Sequence, residues 1–593
     1  MKHTLYKYIA LAAVLGLGMT SCDDFLDRPT EDNYNTENYY ASDDACISGV
    51  NYLYNSPWYD FQRGFIKVGE VFSGNMYWGS SPYLNFSVNG TDEDLINMSY
   101  SLWAEIGHCS TVYQSIQGAN ASESVKNQCM GECLAWKAMA YFFLVRSFGD
   151  VPIVHDNSAT LAAGDYNELS KVEKADVYEY IIMTLEKAME LLPKSSDAGR
   201  IDYYAAEGLL AKVYLTKAGV TGSLSQSDLQ KAAEYAKDVI DNSGRELMGN
   251  YEDIFRGSNN CADESLFAWR WTVGAHWTCQ NTLQSDLAIV GFDEYGDVWG
   301  GWGGPSADLM QAFDVVEFEG TGTEATIKLF PSPDTRVDRD VRRKATMMMA
   351  GDRYSYFWRD KTSPSGYKGF DYLEAIYDTE TEYGKSFSEG QCQGPCGCNN
   401  VKNLYGDDAD HQAEMGMSAA RMANALATHI LRLSDIYLIY AEAKVLLGQG
   451  SDATVCEAFY KVRHRAVSSY SMPSVVTFDD IWKERRLEFA GEGDRWYDFV
   501  RRAYYDTQSC IDEIKSQYRN AIWNCNSLYK AYYESGTWDL TAAEVQYDSY
   551  TAAPNVTAAS FTLPFPTEDV ALNPNVASSA PAVHVDVRNV YTY

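Results

Sequence analysis

Three things are scarce in this chain. The first is positive charge: 48 basic residues stand against 82 acidic ones, a formal net charge of −34 over 593 residues. Phosphate recognition needs clustered Lys and Arg, so nucleic acid is excluded as a natural partner for such a surface. The acidity reads first as a solubility device; a Ca²⁺ site among the carboxylates is the alternative, and no other cofactor is expected. The second scarcity is histidine, with eight in all. No H-E-x-x-H helix occurs, nor any G-x-S-x-G elbow, which removes the simplest hydrolase signatures. The third is long apolar runs. Residues 8–19 are a run of twelve, preceded by Lys2, His3 and Lys7, and too short to span a bilayer as a mature helix. No other stretch is long and apolar enough to cross a membrane.

What is present is a globular composition, 46% hydrophobic and 22% charged. Aromatics make up 14%, with 44 Tyr and 14 Trp, so many rings must lie partly exposed. The apolar run ends in Met19-Thr20-Ser21-Cys22. Small residues just before a Cys, directly after a signal-peptide core, resemble a bacterial lipoprotein cleavage box, with Met19 where Leu is usual. Residues 1–21 then form a signal peptide, Cys22 is the acylated first residue, and 22–42 a tether; ordinary secretion with cleavage near Ser21 is the alternative. Acyl chains anchor by roughly 0.8 kcal/mol per buried methylene. Of the other cysteines, Cys392, Cys396 and Cys398 fall within seven residues. Structural zinc favours C-x₂-C pairs and a fourth ligand. A disulfide-stapled loop is therefore read first, with free thiols and a metal as alternatives. Cys129 and Cys133 read as small buried hydrophobes.

Residues 132–154 organise the rest. Trp136, Ala140, Phe143 and Leu144 share a helical face, while Leu134, Met139, Phe142 and Val145 fill the others, the pattern of a buried helix. Gly149 supplies the stop and Pro152 follows. Further helices are predicted over 41–59, 95–117, 172–192, 203–218 and 229–241, whereas 69–85 breaks every period. Residues 205–215 and 440–448 share small residues at close-packing positions, bulky apolars after them, and a following Ala-containing helix. Such helix pairs are tetratricopeptide-like. Between them, 242–428 loses helical periodicity, and Gly and Pro rise. The expected architecture is mainly α: a single domain over 43–593, its helical scaffold at about 43–241 and 429–510 supporting a loop-rich ligand lobe at about 242–428.

Four stretches carry a family resemblance, in order. They are Arg146-x-Phe148-Gly149-Asp150-Val151-Pro152; residues 431–443, from Leu431-Arg432-Leu433 to Ala441-Glu442-Ala443; residues 484–501, with Gly491-Glu492-Gly493-Asp494-Arg495-Trp496 at their centre; and Leu563-Pro564-Phe565-Pro566 with Asn573-Pro574-Asn575. Together with the lipobox they resemble the SusD/RagB family of nutrient-binding surface lipoproteins. The family's closing Gln-Asn-Pro-Gly-Tyr is absent, which leaves 576–593 unassigned. The resemblance implies a SusD-like α-helical fold, an outer-membrane location by a lipid anchor, and a SusC-like TonB-dependent transporter as partner.

The motif carboxylates Glu488, Glu492 and Asp494 are read as structural, in ion pairs with Arg485, Arg486 and Arg495 at short helical spacing. A glycoside hydrolase would need two carboxylates at a set separation, and with 82 acids sequence pairs carry no weight. Binding without catalysis is therefore expected. The ligand is expected to be an oligosaccharide, whose C–H faces stack on exposed rings. Tyr77 and Trp78 on the first loop and Trp299 and Trp302 on the glycine-flanked one are the candidates, since glycines leave rings uncovered. A peptide ligand, as in RagB-like relatives, is the other reading. Trp136 and Trp496 are expected in the core.

Overall fold

The computed structural model describes residues 39–79, 81–292, 303–320, 324–378, 394–547 and 555–593. It is 53% helix and 9% strand, so the mainly α expectation holds. The first helix, α1 (Asp43–Asn51), ends early because Pro57 and two 3₁₀ turns break the predicted segment. Then come α2 (Phe61–Ile66), a π turn over Lys67–Val71, and β1 (Met76–Trp78). Helices α3 (Glu93–Gln117), α4 (Glu123–Phe148), α5 (Lys174–Leu191), α6 (Tyr203–Lys217) and α7 (Gln226–Asn242) follow. Strands β2 (Ser265–Trp269), β3 (Gly303–Pro305) and β4 (Thr428–Arg432) frame the lobe. The chain re-enters the scaffold as α8 (Leu433–Leu446), α9 (Ala453–Ala466), α10 (Phe478–Phe489) and α11 (Arg495–Ser516).

Helix α4 is buried on every face from Cys129 to Phe148. Gly149, at φ 73°, closes it, a conformation that costs glycine nothing. Its three charged residues, Glu132, Lys137 and Arg146, are partnered inside the core, as buried charges must be. Glu132 accepts from the Tyr54 hydroxyl at 2.7 Å and from Arg200 at 2.7 Å. Lys137 donates to the His155 carbonyl at 2.6 Å. Arg146 reaches Asp494 at 3.2 Å, its guanidinium 3.7 Å from the Phe142 ring centre.

Helices α3 to α7 pack successively around and beyond α4. The next layer against α7 is α8, although the lobe separates them in sequence. The stack is thus continuous in space and interrupted in the chain. Small residues allow the approach: a Cβ on Gly208 of α6 would lie 2.9 Å from both Ile436 and Leu266. Strand β2 pairs antiparallel with β4, Trp269 opposite Thr428, and clamps the two ends of the insertion together.

The lobe has its own apolar cluster, which includes Phe292, Met347, Trp358 and Phe370 and also takes Trp523, Leu528 and Tyr529 from beyond the expected boundary. Cys396 and Cys398 are buried in this cluster; Cys392, and with it the predicted staple, lies outside the described residues. Cys129 and Cys133 are buried, as are Trp136 and Trp496. The unassigned C-terminal stretch is structured. Ala582 and Val583 pair in parallel with Lys171 and Val172, and the Tyr593 hydroxyl meets Thr184 at 2.8 Å.

The motif carboxylates are structural. Arg485 does lie 3.6 Å from Asp494, as the local reading expects, but the shorter pairs come from farther along the chain. Glu488 takes Arg342, Arg432 and Arg465; Glu492 takes Arg432 and Lys402; Asp494 takes Lys212 and Arg146. The donors come from four or more different elements. A fully buried carboxylate needs several cations around it, and one helix turn cannot supply them. Burial pushes the Glu488 carboxyl up, but Arg465, Arg432 and Arg342 hold it well below the usual carboxylate range.

Candidate functional site at the seam of scaffold and lobe

The first loop is not irregular throughout. Phe72 N–H donates to the Lys67 carbonyl at 3.2 Å, the i to i+5 spacing of a π turn, a geometry frequent at functional sites. Beneath it lies the third motif. A Cβ on Gly69 would sit 2.1 Å from the Gly493 carbonyl oxygen, so the two backbones touch. Glu70, fully buried, accepts from Gly493 N–H at 2.7 Å and from Asn75 at 3.0 Å. Arg486 donates to Asn75 at 2.8 Å and to Asp308 at 2.7 Å. The motif residues thus fix the loop from below.

Above, Tyr59, Arg63 and Lys67 recur every fourth residue along and beside α2, so they share one face. The span from 59 to 67 is about 12 Å at 1.5 Å per residue. Trp277 stands at one end, 54% exposed, its ring 6.4 Å from that of Tyr59. Trp78 stands at the other, half-buried, with the Lys67 ammonium 5.3 Å from its ring centre. Strand β3 lies antiparallel to β1 with Gly303 opposite Trp78. A Cβ on Gly303 would come within 2.9 Å of the indole, so the glycine makes room for the ring.

Between the two tryptophans lie charges. Arg63, its side chain 47% exposed, sits 3.8 Å from Asp94 and 3.7 Å from Asp286, and Lys67 also pairs with Asp94. Burial raises Asp286, and Arg63 only partly offsets it; burial raises Asp60 as well. Gln62 accepts from Thr282 N–H at 3.0 Å and donates to the Gln280 carbonyl at 3.3 Å. His276 caps the short turn that carries Trp277. The platform is therefore pinned from the scaffold and from the lobe together. Ring faces flank guanidinium donors and carboxylate acceptors, a layout matched to a hydroxylated ligand with apolar faces. The carboxylates beside Arg63 are paired with cations, an arrangement suited to binding.

Of the four sequence candidates, Trp78 is here. Tyr77 is a correction: at 8% exposure it points inward, because neighbours on a strand face opposite ways. Tyr83, a few residues on, is fully buried. Trp299 and Trp302 lie outside the described residues. Trp269, Trp271 and Trp358 of the lobe are core. Trp277, Tyr59, Arg63 and Lys67 are absent from the sequence-based expectation. A signal existed for Trp277, since Gly274, at φ 88° in open space, precedes it in the same glycine-flanked manner as the chosen pair. Among the described residues, Glu173, Asp176 and His584 bring metal-ligand atoms within 4.8 Å of one another. Within this group Asp176 accepts from Val585 N–H at 2.8 Å and meets His584 at 2.9 Å.

The family model described as "SusD family" matches residues 264–581. One described as "Starch-binding associating with outer membrane" matches 25–215, which points to an outer-membrane association. A "SusD-like protein" of Bacteroides ovatus is 31% identical over 96% of both chains. A protein crystallised with xylogluco-oligosaccharide is 28% identical, with a TM-score of 0.72 over 92% of this chain and 100% of that one. Surface glycan-binding protein A of Bacteroides thetaiotaomicron, solved with laminarihexaose, shares the fold alone, at 17% identity and a TM-score of 0.60 over 90% of this chain and 99% of that one. With a helical stack interrupted by a lobe, motif residues buried beneath the seam, and these matches along nearly its whole length, the chain belongs to the SusD family.

Proposed function

We propose that this protein captures an oligosaccharide on the platform from Trp277 to Trp78 and hands it to a SusC-like TonB-dependent transporter. The observation that carries the reading is the solvent-facing Trp277 beside Tyr59, continuous with Arg63 and its carboxylates. The 28%-identical structure holding xylogluco-oligosaccharide supports the same ligand class. Rings contributing about 1 kcal/mol each, by analogy with aromatic pairs, give millimolar to micromolar affinity, suited to a ligand that must be released. The protein works at the cell surface, held in the outer membrane through acylated Cys22, and binds without hydrolysing.

Affinity electrophoresis against plant and host glycans tests the ligand. Retardation by a neutral glycan, weakened about fivefold in Trp277→Ala, is expected; binding to peptide mixtures with no retardation by any glycan overturns it. Cys22→Ala is expected to release the protein from membranes, and co-purification with a transporter barrel from native membranes tests the partnership.

A further inference from the structure

A second concavity of about 790 Å³ runs along the outer side of α3, within the roughly 300–1,000 Å³ that small-molecule sites occupy. Its floor is one helical stripe, Asn97, Tyr100, Ala104, Gly107 and Thr111, at spacings of three and four. The middle of the floor is bare. A Cβ on Gly107 would meet only the Asn157 amide, at 3.6 Å. The walls are the chain leaving α4, the turn around Tyr166 and Asn167, and the segment from Phe565 to Val576.

The lining has a definite chemistry. Among the described residues it contains no Lys or Arg, while Asp60, Glu568 and Asp569 face it, so anionic ligands are disfavoured. Tyr100 is 65% exposed and Tyr166 37%, with Trp103 half-buried between α3 and the wall. The side-chain amides of Asn97, Asn157 and Asn167 have no hydrogen-bond partner among the described residues, and each offers two donors and an acceptor. Uncovered rings, unpaired amides and carboxylate acceptors without a cation suit a neutral molecule that is rich in hydroxyls and has flat apolar faces. The core of a protein interface is instead depleted of charge. We propose that this groove is a second binding site for neutral oligosaccharide, separate from the Trp277–Trp78 platform. Asp60 borders the groove and the next residue back, Tyr59, borders the platform, so a long glycan can engage both.

The test uses the full chain and an array of neutral and uronic-acid glycans, each as an oligosaccharide ladder and parent polymer. Three variants are compared with the parent: Tyr100→Ala, Gly107→Leu to fill the floor, and Trp277→Ala on the platform. All three substituted positions are solvent-facing, and circular dichroism and Tm confirm the fold. Tyr100→Ala is expected to weaken a neutral glycan about fivefold, the loss of one stacking ring. Gly107→Leu is expected to weaken it at least as much, most clearly for long chains and polymer, with uronic-acid glycans unaffected. Groove variants that bind every glycan like the parent overturn the proposal, whether or not the platform binds. If they bind glycans normally but lose a co-purifying membrane partner, the groove belongs to a protein and the proposal is again overturned. If Trp277→Ala is silent while the groove variants lose binding, the platform reading fails and the groove stands.

Discussion

The helical stack and the lobe solve the same problem differently. In the stack, α4 buries all its faces against neighbours that mostly follow in sequence, and its few charged groups are partnered inside the core. In the lobe, secondary structure is reduced to short helices and two-stranded ladders, and charge does much of the fastening. Arg342 sends its guanidinium to Glu484 at 2.7 Å and Glu488 at 3.0 Å, both on α10. Arg343 and Arg336 both grip Asp352, the latter at 2.8 Å. The platform belongs to neither region alone, for Tyr59 and Arg63 come from the stack and Trp277 from the lobe. The platform therefore depends on how the two regions meet, and a change in either one reaches it.

The largest effect that would break this contrast is at Gly493. Its φ is 75°, and a Cβ there would strike the Phe65 ring at 2.3 Å. Gly493→Ala is expected to cost about 3 kcal/mol or more, from overpacking and left-handed strain, and to lose glycan binding with it. Denaturant unfolding and affinity electrophoresis read the two together; near-parent stability would separate motif from site. Next is Arg342→Met. Removing one partner of a buried ion cluster costs about 3–5 kcal/mol. Hydrogen exchange is expected to rise in the lobe before the stack, and uniform exchange would erase the distinction between them.

Acid sharpens the same comparison. Glu488, Glu492 and Asp435 are pushed up by burial yet held below the usual carboxylate range by the cations around them. Depressed native values contribute stability that is present above the unfolded pKa, near 4, and lost as pH falls through the native ones. Unfolding is therefore expected to set in below about pH 4, with the seam opening first by exchange or proteolysis. Glu207, on α6, carries the opposite sign. Burial and the neighbouring Asp238 push its carboxyl up to about 8. Its contribution is full below the unfolded value, roughly 4.5, and declines as pH rises towards 8. Glu207→Gln is expected to raise Tm at pH 8 by a few degrees, the gain shrinking to nothing near pH 4.5; a pH-independent difference would show that the carboxyl titrates normally. The smallest stability effect belongs to Trp277→Ala, within about 0.5 kcal/mol, although affinity falls about fivefold.

Much of the fold was legible because its signals are local. An apolar run with no polar face, Gly149 and Pro152 after it, and small residues at helix contacts specify α4 and its neighbours without reference to anything distant. The carboxylate partners were not legible, because Glu488 finds cations 146 and 56 residues away, and no spacing encodes that. The site was half legible. Trp78 could be found from glycine and turn residues, but Tyr77 beside it shares those neighbours and differs only by the strand pairing that turns it inward. Tyr59, Arg63 and Lys67 do follow helical spacing, yet the break at Pro57 and the π turn hide it from a strict reading of period.

The meeting of α7 with α8 across the lobe has a consequence for time. A chain emerging from its N-terminus completes α7 at Asn242, and the surface that will receive α8 waits until Leu433 and beyond. At synthesis rates of about 5–20 residues per second, that delay is on the order of 10–40 s. Closing so long a loop also costs about 5 kcal/mol of chain entropy before the contact returns anything. The apolar flank of α7 is thus the sticky surface of the nascent protein, the place where a chaperone would hold it and where an interrupted chain would first aggregate.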